Sequence, residues 1–354
     1  MRRFFKKLFS ITACYMHLWP LVFGLCRIKD KKPVLAVFMF HRVCPGEPDE
    51  RYLQGYERGI SRETYERQID LISRIYRIID LTEFAEIVAG EKAPRENRPM
   101  ALLTYDDADQ DHPSLAFAKL ARHGFAGVAF VPTGFIGTDR RFYHLRLTNI
   151  CNRFGNDTWQ EIIQTELPAG VKAAIKEFLP DIVGRKGEFR RSLISPFEAL
   201  PPSERDRLLY GWEERIGFAY DLDIRCLDWE GVRKLPDLGI TIGSHTVNHN
   251  RLAMLKTEEK TKELAESKAV LERETGSPIE TICYPEGSFD EETLSLSEKA
   301  GYRLGFTTVD DPVDYPRTGL DLLRIPRVGA GAGSEHEIAF SIGLPVLRKL
   351  FGKR

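Results

Sequence analysis

The sequence predicts an α/β protein whose sheet is mainly parallel. Short runs rich in β-branched and aromatic residues alternate with longer segments in which apolar residues recur at helical spacing. Glycines and capping residues separate the two kinds of segment. With 354 residues, the chain is long enough to bury a sizeable core, either as one large domain or as a domain with an insertion.

The first half of the predicted sheet comes from three short apolar runs. They are "PVLAVFMF" (33–40), "MALLTY" (100–105) and "GVAFVP" (127–132). A helix is predicted to begin after Ser61, a typical N-cap residue, because the apolar residues that follow share one helical face. A second helix is predicted from about Pro113 to His123, because Gly124 follows as a helix-ending residue.

The second half of the sheet is predicted from three runs closer to the carboxyl terminus. They are "GITIG" (239–243), "ETICYP" (280–285) and "RLGFTT" (303–308). Helices are predicted between them at 257–276 and 290–301, each ending at a glycine, with Asp290 as the cap of the second. Between the two halves, from about 138 to 225, amphipathic helical patterns replace the strand signals, which predicts a helical insertion.

The amino-terminal segment, residues 1–32, differs from the rest of the chain in composition. Basic residues precede an apolar stretch from Leu8 to Cys26, which falls within the roughly 17 to 25 residues needed to cross a bilayer. His17 and Pro20 interrupt this stretch and basic residues flank both of its ends. A single span, an interfacial basic helix and an ordinary core helix therefore stay open, and we expect membrane association.

Charge and cysteine content exclude several classes of function. Lys and Arg number 51 against 52 for Asp and Glu, a net charge of −1, so nothing global indicates a nucleic-acid partner. The 6 cysteines are scattered without a C-x-x-C pair, which predicts neither a disulfide framework nor a cysteine metal site. The function must therefore be argued from local groups of residues.

Polar residues with catalytic potential directly follow the predicted strands. His41 follows the first run, Asp106 and Asp107 follow the second, His245 follows "GITIG", and Tyr284 lies near the end of "ETICYP". Taken singly, an Asp pair is usual in a turn and a histidine is usual in a core or on a surface. Active sites of barrels and open α/β sheets form at the carboxyl ends of strands, so the shared position favours one site.

The histidine pair His245 and His249 fits a metal centre. A catalytic metal site often has two imidazoles and one carboxylate, with a further position open to water. Thr246 and Val247 occupy the positions where a metalloprotease H-E-x-x-H helix has its glutamate. The base must come from elsewhere, and the Asp pair supplies it, because one carboxylate can bind metal while the other accepts a proton from water.

Three motifs, in this order, resemble those of the polysaccharide deacetylases, carbohydrate esterase family 4, with the NodB homology domain. They are "LLTYDDADQDHPSLAFAKLARHGFAGVAFVPTGFIG", "IGSHTVNHNRL" and "CYPEGSFDEET". The opening "FMFHRV" and the late "RIPRVG" resemble a subgroup whose usual terminal strand lies at the amino-terminal side. The resemblance covers about 33–345 and implies a distorted (β/α) barrel with the helical insertion at about 138–225, followed by a basic tail, 346–354.

The resemblance also implies a role for each matching residue. Asp106 would be the general base. The metal, most often zinc in this family, would be bound by Asp107, His245 and His249. The backbone N–H of Tyr284 would stabilise the oxyanion together with the metal, and His41 would protonate the leaving amine, with His336 as the fallback.

Substrate contacts and departures from the family pattern concern the later motifs. The residues expected to contact the sugar are Tyr284, Pro285, Glu286 and Arg327. Glu286 stands where an aromatic residue or glycine is usual, and Ala108 stands where the family has glycine. The family's arginine has no clear match, so Arg324 or Arg327 is expected to orient Asp106.

The expected function is therefore a metal-dependent hydrolase, a polysaccharide deacetylase. It would remove N-acetyl groups from amino sugars of a bacterial polysaccharide, such as an exopolysaccharide, or of its lipid-linked precursor. Two alternatives stay open: a catalytically inactive carbohydrate-binding or scaffold module on the same fold, and a deformylase or deacylase of a lipid-linked amino sugar. The expected partner is a carbohydrate and not a nucleic acid, and the expected location is the bacterial inner membrane, on a side that the sequence leaves open.

Overall fold

The computed structural model describes residues 33–48, 59–94, 98–221 and 223–330. The predictions for the amino-terminal segment, for His336 and for the basic tail lie outside these residues. The described residues divide into two compact units, one made of those within 33–47, 59–138 and 226–330, the other of Pro48 and those within 139–225. Among the residues described, no helix has both the length and the apolar composition needed to cross a bilayer.

The first unit is built on a parallel sheet. Its strands are β1 (Leu35–Phe40), β2 (Val43–Cys44), β3 (Ile60–Ser61), β4 (Arg77–Ile78), β5 (Met100–Tyr105), β6 (Gly127–Val131), β7 (Ile240–Ser244), β8 (Thr281–Cys283), β9 (Leu304–Phe306) and β10 (Val328–Gly329). Eight of them form one sheet in the order β10-β1-β5-β6-β7-β8-β9, with β4 beside β5, while β2 pairs with β3. All these pairs are parallel, so the carboxyl ends of the strands lie at one end of the sheet.

The sheet curls until its two edges meet at one chain segment. Ile325 pairs with Phe306 of β9, and three residues later Val328 pairs with Phe38 of β1. The segment that ends in β10 therefore bridges the first and the last strand of the sheet. Together with the surrounding helices, this arrangement confirms the predicted distorted (β/α) barrel.

The apolar runs of the sequence form strands that are buried on both faces. β1 and β5 are buried along their whole length. In β1, Ala36 and Phe38 pack into one hydrophobic cluster, and Leu35 and Val37 pack into another. A parallel strand covered on both faces needs a continuous apolar run instead of an alternating one, which is the pattern that predicted these strands.

The helices follow the sequence pattern closely. They are α1 (Arg62–Ile75), α2 (Leu81–Ala89), α3 (Ala118–Arg122), α4 (Tyr143–Arg153), α5 (Asn156–Ile162), α6 (Ala169–Phe178), α7 (Lys186–Glu198), α8 (Pro202–Glu214), α9 (Trp229–Arg233), α10 (Thr257–Thr275) and α11 (Glu291–Lys299). The Ser61 hydroxyl caps α1 by accepting from the N–H of Thr64 at 3.3 Å. Asp290 caps α11 by accepting from the N–H of Thr293 at 2.8 Å.

One predicted helix differs in its first turn. The segment Pro113–Phe117 is π-helical, and α3 begins only at Ala118. The N–H of Ala118 bonds to the carbonyl of Pro113, five residues back, which widens the turn.

The second unit is helical and has a hydrophobic core of its own. It contains α4 to α8. Trp159 lies fully buried in this core and packs edge-to-face on Phe189 and Trp212, with ring centroids 4.9 and 5.3 Å apart. The cluster around these rings draws on each of the five helices of the unit.

Candidate metal centre and catalytic residues

Asp106 is a buried carboxylate held by an arginine from the opposite end of the sequence. It directly follows β5, and its N–H donates to the carbonyl of Phe40 at 3.0 Å. The guanidinium of Arg327 donates to both carboxylate oxygens, Nη1 to Oδ1 and Nη2 to Oδ2, each at 2.7 Å. The side chains of Arg327 and Asp106 are 0% and 3% exposed, so the pair is shielded from water.

Further hydrogen bonds fix the Arg327 guanidinium in this position. Its Nε donates to the carbonyl of Thr307 at 2.8 Å, and its Nη1 donates to the hydroxyl of Thr104 at 3.1 Å. Burial, the largest single influence, would raise the pKa of Asp106, but the charge and the hydrogen bonds of Arg327, with smaller contributions from His41 and His245, together hold that pKa well below its usual range. Asp106 is therefore ionised at neutral pH, the state in which a carboxylate accepts a proton.

The side chain of Asp107, the next residue in the chain, faces two histidines. Its backbone has φ 73°, and its Oδ1 lies 3.6 Å from Nε2 of His245 and 3.4 Å from Nε2 of His249. This Oδ1 is buried and accepts no hydrogen bond from the residues that the structure describes. Burial, and next the charge of Asp106, raise the pKa of Asp107 well above its usual range. A cation between the three side chains would remove that penalty.

The histidine tautomer also fits a metal. Nδ1 of His245 lies 2.8 Å from the carbonyl of Cys283, which can only accept, so Nδ1 carries the proton and Nε2 presents its lone pair. The ligand atoms of Asp107, His245 and His249 all lie within 4.8 Å of one another. Two imidazole nitrogens and one carboxylate oxygen form a donor set that suits zinc and similar divalent ions.

A second group of potential ligands, Asp106, His245 and Cys283, lies beside the first. Arg327 already fills this position, because its Nη2 lies 3.0 Å from the Cys283 sulfur as well as on Asp106. A metal ion there would meet a buried guanidinium charge. Of the two groups, the one around Asp107 is therefore the better candidate for a metal centre.

His41 follows β1 and lies beside Asp106. Its Nε2 is 3.6 Å from Oδ2 of Asp106. Burial lowers the pKa of His41 to about 3, and the nearby charge of Asp106 offsets only part of this effect. The imidazole is therefore neutral at neutral pH and can protonate a leaving group only after it has received a proton.

The contacts expected for Tyr284 and Arg327 are wrong in part. Arg327 is fully buried against Asp106, so it cannot contact a sugar; of the two candidate arginines, it is the one that orients Asp106. Arg324, the other candidate, pairs at the surface with Glu291. The amide of Tyr284 donates to the carbonyl of Phe306 at 3.1 Å, because strand pairing continues one residue past β8. That amide is already used by the sheet, so the expected oxyanion role does not fit this geometry.

The rest of the third motif separates into buried and exposed parts. The Tyr284 ring and Pro285 are buried, and the Tyr284 hydroxyl donates to the Ser297 hydroxyl at 3.4 Å. Glu286 lies at the surface with φ 54°, and its Oε2 is 3.6 Å from Nε of Arg251. Among the residues expected to contact the sugar, Glu286 is the one whose side chain is placed to do so.

Several residues that support the site were not identified from the sequence. Thr104 holds Arg327, Cys283 contacts it, and Glu263 holds the loop between the two histidines. His112 is fully buried, and its Nε2 lies 2.8 Å from the carbonyl of His41, so it fixes the backbone there. Polar residues inside otherwise apolar segments, such as Thr104 in "MALLTY", were the available signal.

Comparisons with known proteins agree with the motifs. A family model described as polysaccharide deacetylase matches residues 207–305, a stretch that contains the histidine pair and Tyr284. "Putative polysaccharide deacetylase YxkH" of Bacillus subtilis (strain 168) is 37% identical over 79 residues, which cover 22% of this chain and 28% of that protein. The alignment therefore spans less than a third of this curated relative.

Solved structures share the fold. The Streptococcus pyogenes deacetylase PplD in complex with acetate is similar with a TM-score of 0.54 and 16% identity, over 87% of this chain and 96% of that chain. IcaB from Ammonifex degensii has the same TM-score of 0.54 and 16% identity, over 88% of this chain and 97% of that one. At this level of identity the likeness concerns the fold.

Proposed function

We propose that this chain is a polysaccharide deacetylase, which its partial family match and its fold support, and that it removes N-acetyl groups from amino sugars of a bacterial polysaccharide or of its lipid-linked precursor. The observation that carries the proposal is that two adjacent carboxylates, Asp106 and Asp107, lie in different environments. Asp106 is kept ionised by Arg327, while the neighbouring Asp107 presents a buried Oδ1 to two imidazoles. This arrangement suits a general base beside a metal ligand.

A divalent cation, which we propose to be zinc, would be held by Asp107, His245 and His249, where its charge would polarise an acetamide carbonyl and make a nearby water more acidic. Asp106 accepts the proton of the attacking water. The water oxygen bonds to the acyl carbon, and the bond between this carbon and the sugar nitrogen breaks. The products are acetate and a free amino sugar.

The leaving nitrogen must be protonated, because an amide anion is too poor a leaving group. His41 lies 3.6 Å from the carboxylate that has taken up the proton, so it can receive that proton and deliver it to the nitrogen. Because burial holds its pKa at about 3, a protonated His41 is a strong acid and gives its proton up readily. Asp106 is then ionised again and the cycle can restart.

The binding-module alternative explains fewer observations. A scaffold that only recognises sugars has no use for an ionised carboxylate that is 2% exposed, or for a buried Asp107 oxygen without a hydrogen-bond partner. The other alternative, a deformylase or deacylase of a lipid-linked amino sugar, would use the same residues. Only tests with different substrates can distinguish it from an N-acetyl hydrolase. We also propose that residues 1–32, which lie outside the described ranges, associate with the membrane.

The test combines metal content by mass spectrometry with acetate release from N-acetylglucosamine oligomers. We expect about one zinc per chain in the native protein and in Asp106→Asn, but acetate only from the native protein. Asp237→Asn, an exposed change in the same unit, is the matched control and should behave as native.

Three other results are informative. Metal without acetate in the native protein would redirect the search to lipid-linked or differently acylated sugars. Full turnover by Asp106→Asn would remove Asp106 as the base. Absence of metal from native protein purified without chelators and incubated with zinc would overturn the ligand assignment.

A further inference from the structure

The loop from His245 to His249 has a backbone that needs external support. Thr246 has φ 64° and His249 has φ 53°, both in the left-handed region that favours glycine. For a β-branched residue such as Thr246 this conformation is rare. Residues are held in such conformations only where the surrounding structure fixes them, and here they set the separation of two candidate metal ligands.

The carboxylate of Glu263 provides much of this support. Its Oε2 accepts from the backbone N–H groups of Val247 and Asn248, both at 2.8 Å. Its Oε1 accepts from the side-chain amides of Asn248 and Asn250, at 2.8 and 3.2 Å. Glu263 is 5% exposed, so these four N–H donors replace water around a buried negative charge.

The helix that carries Glu263 is itself fixed to the strand before the loop. Glu263 lies in α10, and one turn later the hydroxyl of Ser267 lies 2.7 Å from the hydroxyl of Ser244 at the end of β7. On the other side of the loop, the carbonyls of Thr246 and Val247 accept from the N–H groups of Thr133 and Gly134, at 3.1 and 2.8 Å. The loop is thus held on its amide side by Glu263 and on its carbonyl side by the segment after β6.

We infer that Glu263 is a positioning residue of the metal centre, which presets the two histidines for the cation by holding the loop between them. This inference rests on the metal site of the proposed function. Groups that orient metal ligands change metal affinity by about 10–100-fold when they are replaced. Glu263 acts through the loop and is not itself a ligand.

The experiment compares the zinc affinity of the native protein with that of Glu263→Gln, by competition with a chromogenic chelator. A glutamine would place its N–H₂ group against one pair of N–H donors, so two hydrogen bonds to the loop would be lost. We therefore expect zinc binding to be about 10–100-fold weaker. Glu266→Gln is the matched control, because Glu266 lies in the same helix with its side chain 53% exposed, and its affinity should equal that of the native protein. Excess zinc should restore acetate release by Glu263→Gln, which it would not do for a merely misfolded variant.

Equal zinc affinity in Glu263→Gln and native protein would overturn the inference. If Glu263→Gln does not fold, the double variant Asn248→Ala, Asn250→Ala removes two of the four donors and keeps the carboxylate. It should weaken zinc binding in the same direction, and unchanged affinity there would also overturn the inference. Native protein that binds zinc but releases no acetate would count against N-acetylglucosamine oligomers as the substrate of the proposed function. It would leave this inference standing, because zinc affinity is measured without turnover.

Discussion

At the scale of single residues, backbone strain is concentrated at the candidate site. In the described chain, all but one of the non-glycine residues with positive φ belong to the site's loops: Asp107, Ala108, Thr246, His249 and Glu286. Left-handed backbone costs an L-residue free energy that the rest of the fold must offset. The surrounding structure thus holds the loops of the site in a backbone conformation that is unfavourable for these residue types.

Replacing Ala108 by glycine tests this strain. Ala108 has φ 48° and is 1% exposed, so glycine at this position would relieve about 1–2 kcal/mol of backbone strain. The loss of a buried methyl group and the larger backbone entropy of glycine in the unfolded chain would together cost a similar free energy. We expect the free energy of unfolding in urea to stay within about 1 kcal/mol of the native value. Ala101→Gly, in the fully buried strand β5, has no strain to relieve and should cost about 1.5–2 kcal/mol. Equal losses in the two variants would contradict the strain argument.

The Arg327 and Asp106 pair predicts a large loss of stability when one partner is removed. Arg327→Met leaves Asp106 as a buried, unpaired carboxylate, and we expect about 3–5 kcal/mol lower free energy of unfolding at pH 7. Arg324→Met removes a surface ion pair whose arginine is 35% exposed and should change stability by less than about 1 kcal/mol. Urea titrations of both variants measure the difference, and similar values for the two would refute a special role for the buried pair.

The same pair gives a pH dependence with a defined sign. Arg327 holds the pKa of Asp106 in the folded state below its unfolded value of about 3.9, so the pair stabilises the fold above that pH. This contribution is lost as the pH falls below about 4. The stability difference between native protein and Arg327→Met should therefore be smaller at pH 4 than at pH 7. A difference that grows on acidification would show that the charge of Asp106 is not what Arg327 stabilises.

The sequence indicated which candidate site residues lie together better than it indicated their hydrogen-bond partners. The positions of Asp106, Asp107, His245 and His249 after strands were visible in the order of the motifs, and the structure brings them together. The sequence left two candidates, Arg324 and Arg327, for the arginine that pairs with Asp106. It could not distinguish them, because both lie far from Asp106 in the sequence and only the closed sheet brings one of them to it. The Tyr284 amide was expected to stabilise an oxyanion, but it lies inside the predicted run 280–285 and donates to the carbonyl of Phe306 in the sheet.

At the scale of elements, long strands and capped helices were predictable and two-residue strands were not. β5 covers the predicted run Met100–Tyr105. β2, β3, β4 and β10 are each 2 residues long, too short for any periodicity to appear. They form because neighbouring strands offer unpaired backbone groups, which is a property of the assembled sheet.

Helix caps give a prediction that compares two elements. Asp80 caps α2 through one bond, accepting from the N–H of Glu83 at 2.8 Å, and Asp80→Ala should cost about 1 kcal/mol. Asp290 caps α11 and also accepts from Nζ of the buried Lys260 at 2.6 Å. Asp290→Ala should therefore cost more, about 2–3 kcal/mol, as judged by thermal or urea unfolding. A smaller loss for Asp290→Ala than for Asp80→Ala would mean that the Lys260 bond adds no stability.

At the scale of the whole molecule, the chain has separate hydrophobic cores in its two units. We expect the helical unit, 139–225, to respond to damage in its own core. Trp159→Ala should cost about 3–5 kcal/mol and accelerate amide hydrogen exchange in α4 to α8 while leaving exchange in β5 unchanged. Phe84→Ala, in a core of the first unit, is the reciprocal variant and should accelerate exchange there. Parallel acceleration throughout the chain in both variants would mean that the cores unfold together.

The closure of the sheet by its last strand has a consequence for biosynthesis. Arg327 lies one residue before β10, and the loop that carries Asp106 was made more than two hundred residues earlier. A nascent chain on the ribosome can form most of the sheet while Asp106 still lacks its counter-charge. Asp106 is therefore paired only after the segment that carries Arg327 has left the ribosomal tunnel and docked, so the first appearance of the barrel strands does not complete the candidate site.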